Sequence, residues 1–142
     1  MKKTHLAAVT LGLVVAIGAA SVASAQPLVK GTFDLPYEVR WGKAVLPPGR
    51  YSITIDAADR PAWVTTSTGR RLTYVLARSS SDAMKDAPTA LVIAKAEGRR
   101  VVRSFNWREG NRNFIYRPYA RGIEQGATGA EPEAVTVRTA RQ

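Results

Sequence analysis

Phe33-Asp34-Leu35-Pro36-Tyr37-Glu38-Val39-Arg40-Trp41 alternates without a fault: Phe33, Leu35, Tyr37, Val39 and Trp41 are apolar, and the four residues between them are not. A period of two predicts extended chain with one buried and one wet face. Pro36 has no N–H to give to a ladder, so the strand is expected at a sheet edge or with a bulge. Downstream, Leu46-Pro47-Pro48-Gly49 reads as a rigid turn, after which Tyr51, Ile53 and Ile55 alternate with Ser52, Thr54 and Asp56.

The pattern continues through the chain. Short strands are predicted at 63–67 and 71–78, joined by a tight hairpin at Thr68-Gly69. Ser79 to Pro88 reads as a polar loop in which Asp82 to Ala87 could form a helical turn or two before Pro88 stops it. Leu91-Val92-Ile93 suits a central strand covered on both faces. Glu97-Gly98 is a second hairpin signal, leading into 99–107, and the loop 108–113 leads into 114–119. About seven antiparallel strands with turns between them predict an all-β fold, a single small sandwich or barrel, over 26–119. Residues 120–142 trade aromatics for Gly and Ala and read as a flexible tail, in which Val135 and Val137 could dock as a late strand.

Ahead of this domain, Lys2 and Lys3 precede an uncharged run from Leu6 to Ala20, and Ala23-Ser24-Ala25 supplies small residues for a peptidase. Residues 1–25 are therefore expected to be a signal peptide cut near Ala25, with the mature protein periplasmic or secreted and without a transmembrane span. The chain has one histidine, His5 in that segment, and no cysteine. The mature chain then lacks imidazole and thiol together, which excludes Ser/His/Asp and Cys/His triads, Cys/His zinc sites, His-ligated haem and disulfides.

The run from Phe33 to Tyr51 resembles a group of small secreted bacterial proteins whose mature N-terminus reads F-x-L-P-x-x-V-x-W-G-x-A-x-L-P-x-G-x-Y. That family implies no established activity and carries no catalytic residue across. Leu46 to Tyr51 also looks like the turn into a strand of prealbumin-like and carboxypeptidase-regulatory-like sandwiches, which implies the same fold class.

Of the 21 basic residues, Lys2 and Lys3 leave with the signal, lowering the formal charge from +10 to +8. Arginine and aromatic rings interleave over 97–119, where Arg99, Arg100, Arg103, Trp107, Arg108, Arg112, Arg117 and Tyr119 are the candidate ligand-binding residues. Arg70 and Arg71 join them, because Gly69-Arg70-Arg71-Leu72 echoes Gly98-Arg99-Arg100-Val101 at the exit of a second hairpin. One arginine of each pair should face solvent while the other sits at the rim. Guanidinium forks suit phosphate, sulfate or carboxylate, and rings suit stacking. An exported protein with these groups is expected to bind an anionic polymer, a polysaccharide or an envelope surface, with no nucleic acid as its main partner.

No catalytic set, metal site or cofactor is predicted. Asp34 and Glu38, four residues apart on one strand, would stand about 13 Å apart, too far for a glycosidase pair. Asp56 and Asp59 flank a turn without the rest of a calcium loop, and Ser79-Ser80-Ser81 with Lys85 is a Ser/Lys pair by composition alone. The leading expectation is a non-catalytic binding module. Behind it stand a structural or assembly protein that forms homo-oligomers through an edge strand such as 33–41, and a small hydrolase with a carboxylate site.

Overall fold

The computed structural model describes residues 26–96, 98–116 and 132–140. These form strands β1 (Val29–Leu35), β2 (Val39–Trp41), β3 (Ala44–Leu46), β4 (Gly49–Ile55), β5 (Ala62–Thr66), β6 (Arg71–Val75), β7 (Ser79–Ser81), β8 (Ala90–Ala96), β9 (Arg99–Trp107), β10 (Arg112–Ile115), β11 (Glu133–Thr136) and β12 (Arg138–Thr139). Two sheets face each other: a five-stranded one in the order β12-β1-β4-β5-β6, and a seven-stranded one in the order β11-β8-β9-β10-β7 with β2 and β3 joined to β9. The fold is a small β-sandwich, and the sheets do not close into a barrel. Among the described residues every pairing is antiparallel except β2 with β9, which meet in parallel at Arg40 and Val101.

The stretch 33–41 is not one strand. β1 belongs to the five-stranded sheet and β2 to the seven-stranded one, and residues 36–38 carry the chain across between them. Pro36 sits where the ladder ends, so its missing N–H costs nothing. The alternation survives because Phe33 and Leu35 enter the core from one sheet and Val39 and Trp41 from the other. Phe33 stacks on Tyr51 at 5.7 Å and meets Trp41 edge-on at 6.2 Å, while Trp41 meets Tyr116 edge-on at 5.2 Å. Gly42, at φ 60°, makes the turn into β3, and the Tyr51 hydroxyl donates to the Pro47 carbonyl at 2.6 Å. The aromatic and turn positions of the 33–51 run thus form one packing unit.

Two bulges reset the phase of side chains that strict alternation would misplace. In β9, Val92 opposes Ser104 but Ile93 opposes Val102, leaving Arg103 as the extra residue. That spacing lets both Val102 and Phe105 point inward. In β6, Val64 opposes Thr73 but Thr65 opposes Arg71, so Leu72 is extra and Arg71 returns to the outer face beside Tyr74.

The 82–88 loop holds no helix; Ala87 N–H reaches the Met84 carbonyl in an isolated turn, and Asp86 lies at φ 60°. The cause is on β9. Asn106, fully buried, accepts the Met84 N–H at 2.9 Å and donates to the Pro88 carbonyl at 2.9 Å, taking up backbone groups that a helix would have used.

The flexible tail read from 120–142 also needs correction over its last part. β11 pairs with β8, Val137 donates its N–H to the Thr89 carbonyl, and β12 pairs with β1, so the chain passes from one sheet to the other along their shared edge. Val135 and Val137 alternate with threonine and both enter the core, which is the physical reason the segment docks. Residues 120–131 and 141–142 lie outside the described residues.

Candidate functional site

The outer face of the five-stranded sheet follows from its register, because residues directly opposite one another share a face. One row across the strands reads Lys30, Thr54, Trp63, Tyr74. The next reads Arg138, Thr32, Ser52, Thr65, Arg71, and a third pairs Asp34 with Arg50. The matching inner face is Val29, Phe33, Tyr51, Ile53, Ile55, Ala62 and Val64, all buried.

At one side of this face two aromatic rings point outward, Trp63 partly buried and Tyr74 exposed. Trp63 and Tyr74 are a cross-strand pair with centroids 5.3 Å apart and planes tilted by 53°, and Tyr74 remains 64% exposed. The Arg71 guanidinium, turned outward by the β6 bulge, lies 4.6 Å from the Trp63 ring centroid. Around the rings the face carries the hydroxyls of Thr32, Ser52, Thr54 and Thr65 and the cations Lys30, Arg50, Arg71 and Arg138. Its acid, Asp34, accepts from Arg50 Nε at 2.9 Å, which holds the guanidinium pKa above its usual value. A ring platform, neutral donors and an excess of positive charge therefore share one flat surface.

The arginines singled out in the sequence divide among several places. The register puts both Gly-Arg-Arg hairpins at the same end of the sandwich, since Thr66 aligns with Tyr51 and Phe33, and Arg100 reaches Tyr37 just past β1. They are not neighbours: β6 is three strands from β1, about 14 Å. Arg70 is exposed in its turn and Arg71 lies on the platform. Arg99 is exposed at the second tip and lines a small groove with Glu38, Arg40, Gly98 and Arg100. Arg103 is exposed at the β9 bulge. Trp107, Arg108 and Arg112 lie at the opposite end of β9, about 26 Å from Arg99. Phe105, Phe114 and Tyr116, which interleave with these arginines in sequence, are core residues. Arg117 and Tyr119 lie outside the described residues. Asp34 lies in β1 and Glu38 in the crossing between the sheets, and they form no pair.

Arg100 is committed within the protein. Its guanidinium lies 3.9 Å from the Tyr37 ring centroid and its Nε donates to Glu133 Oε2 at 3.3 Å, tying β9, the 36–38 crossing and β11 together. Burial, aided by the bond to Glu133 and that residue's charge, pushes the Tyr37 phenol from its ordinary 10.0 up to about 12. The same bond from Tyr37, with Arg100 beside it, holds the Glu133 carboxyl below its usual range. The consequence for pH has a definite sign. Below pH 10 the phenol keeps its proton in the folded and unfolded chains alike; between 10 and about 12 only the unfolded chain ionises, so stability falls across that window. The Glu133 contribution is present above its ordinary pKa and is lost as pH falls below it. Urea midpoints measured at pH 7, 10 and 12 should therefore drop on the alkaline side, and Tyr37→Phe should lessen the drop. The remainder belongs to Tyr51 and Tyr116, which burial also shifts upward.

Arginine density along the sequence does not point to Trp63 and Tyr74. The signal was present: Ala62 and Val64 occupy the inward phase of their strand, which leaves Trp63 as the large ring on the outward phase. Neither a protein-family model, nor a curated protein, nor a solved structure matches the chain. Among the described residues no helix is long and apolar enough to cross a membrane, and no three His, Cys, Asp or Glu side chains converge as a metal site would require.

Proposed function

We propose that this protein is an exported, non-catalytic module that binds an acidic polysaccharide of the cell envelope or its surroundings through the outer face of the five-stranded sheet. The observation that carries the reading is the solvent-facing Trp63–Tyr74 pair with the Arg71 guanidinium against it. Rings accept the C–H faces of sugars, the Thr and Ser hydroxyls exchange hydrogen bonds with sugar hydroxyls, and Lys30, Arg71 and Arg138 meet carboxylates. Mere solubility would not require large rings on the wet face. Export rests on the n-region, apolar run and Ala23-Ser24-Ala25 site of residues 1–25, and it places the module where such polymers occur.

A second reading, self-assembly by strand addition, is favoured by one feature. Among the described residues β6 is the last strand of its sheet, and Leu72 and Leu76, in and just after it, are 36% and 63% exposed.

Retention in affinity electrophoresis through gels containing polygalacturonate separates the two. The double variant Trp63→Ala, Tyr74→Ala should weaken retention at least about tenfold, the loss of roughly 1.4 kcal/mol expected from two stacking contacts. Rising ionic strength should weaken it further. Unchanged retention in the double variant would overturn the saccharide reading, and a concentration-dependent, salt-insensitive oligomer lost in a β6 Leu72→Lys variant would favour assembly.

A further inference from the structure

The platform's cationic end leads over the sheet edge into a cleft. Lys30, Val137, Arg138 and Thr139 line one side, and Trp107, the last residue of β9, lines the other with Glu109 of the following turn. Its volume, about 620 Å³, is in the range of small-molecule sites.

The turn side of the cleft is built with some care. An added Cβ at Gly110 would come within 2.1 Å of the Trp107 six-membered ring, so the turn closes onto the indole only because residue 110 has no side chain. Asn111, at φ 48°, completes the turn in the left-handed region. Glu109 is oriented by the buried Thr89, whose hydroxyl donates to Glu109 Oε2 and accepts the Arg108 N–H at 3.0 Å. That arrangement leaves Glu109 Oε1 without a partner among the described residues. Lys30 and Arg138 on the facing wall make no ion pair with a described residue. The cleft therefore offers a partly exposed indole, a fixed carboxylate acceptor, a Thr139 hydroxyl and two cations over an apolar floor.

We infer that this cleft is a subsite for one acidic sugar unit of the hexuronate class, seated where the polymer leaves the platform; the inference rests on the saccharide reading for its ligand class. The excess of cations selects an anion. The position of Glu109 opposite Lys30 and Arg138 selects a ligand with a carboxylate at one side and hydroxyl donors at the other, and Trp107 provides the ring for the sugar face. A simple carboxylate satisfies only the cations, and a neutral hexose only the remaining groups.

The test follows the indole Nε1–H resonance of Trp107, assigned by its loss in Trp107→Phe, during titrations of the mature protein with D-glucuronate, D-glucose and acetate. Glucuronate should shift it saturably, D-glucose should bind about tenfold or more weakly for want of the charge-assisted contacts, and acetate should leave it unmoved. Glu109→Ala should weaken glucuronate binding by a similar factor while its amide spectrum stays folded. The Trp63→Ala, Tyr74→Ala variant should respond as the parent does. An unshifted Trp107, an equal response to acetate, or loss of the response in the platform variant would overturn the subsite. These results are separable from the polymer experiment. If polygalacturonate binds through Trp63 and Tyr74 while Trp107 stays silent, the subsite fails alone; if glucuronate moves Trp107 but no polymer is retained, the platform reading fails.

Discussion

Replacing Trp41 by alanine should cost about 3–5 kcal/mol, the range for truncating a large buried aromatic, and lower the melting temperature by more than about 10 °C. Trp41 is fully buried, meets Phe33 and Tyr116 edge-on, and stands where the chain has just crossed from one sheet to the other. A cavity there separates both layers. Set against the roughly 5–15 kcal/mol that holds a typical domain together, and with no disulfide in reserve, the loss is a large share of the margin. Trp41→Phe should be much milder. The indole Nε1–H is buried without a hydrogen-bond partner among the described residues, so phenylalanine removes an unsatisfied donor along with some volume. Chemical denaturation of the three proteins checks this. A Trp41→Phe loss as large as that of Trp41→Ala would mean that the indole N–H is satisfied in the folded protein.

The second large effect concerns the C-terminal segment. Truncation after Pro132 removes β11 and β12, and with them Val135 and Val137, each worth about 1.5–3 kcal/mol of burial. It also removes Glu133, the partner that holds Arg100 over Tyr37, and bares an edge strand in each sheet, β8 in one and β1 in the other. The expected result is a protein that expresses mainly in the insoluble fraction or, where soluble, melts at least about 10 °C lower and oligomerises through the bared edges. The measurement is light scattering together with a thermal melt. A truncated protein as stable as the parent, and of the same oligomeric state, would show that the segment contributes nothing to the core. A Val135→Ala, Val137→Ala variant separates the lost burial from the bared edges.

Much of this architecture is legible in the sequence. Period-two alternation named Phe33, Leu35, Val39, Trp41, Tyr51, Ile53 and Ile55 as inward, and the Thr68-Gly69 and Glu97-Gly98 signals placed two hairpins, with Gly69 and Gly98 at φ 85° and 74°. What alternation could not supply was the sheet to which each piece belongs. Phe33 to Trp41 keeps perfect phase while changing sheets, because both sheets share one interior, and phase reports inside or outside but not which layer. The bulges were invisible for a related reason. A single inserted residue at Arg103 or Leu72 exchanges faces downstream, and only cross-strand pairing reveals it. The β6 shift put Arg71 on Trp63, while the alternating rings Phe105 and Phe114 are core. Arginine density in sequence therefore pointed along β9, whereas the outward-facing rings sit on β5 and β6. The C-terminal strands were half legible: Val135 and Val137 carried the right phase, but the polar composition around them reads as tail until a partner edge is known.

The binding face itself is tested most directly by amide and side-chain NMR shifts of the mature protein during titration with polygalacturonate fragments at low and high salt. The largest changes should fall on Thr54, Trp63, Thr65, Arg71 and Tyr74, extend toward Lys30 and Arg138, and fade as salt rises. Changes confined to Arg99, Arg103 and the 98–100 tip, with Trp63 and Tyr74 unmoved, would contradict it.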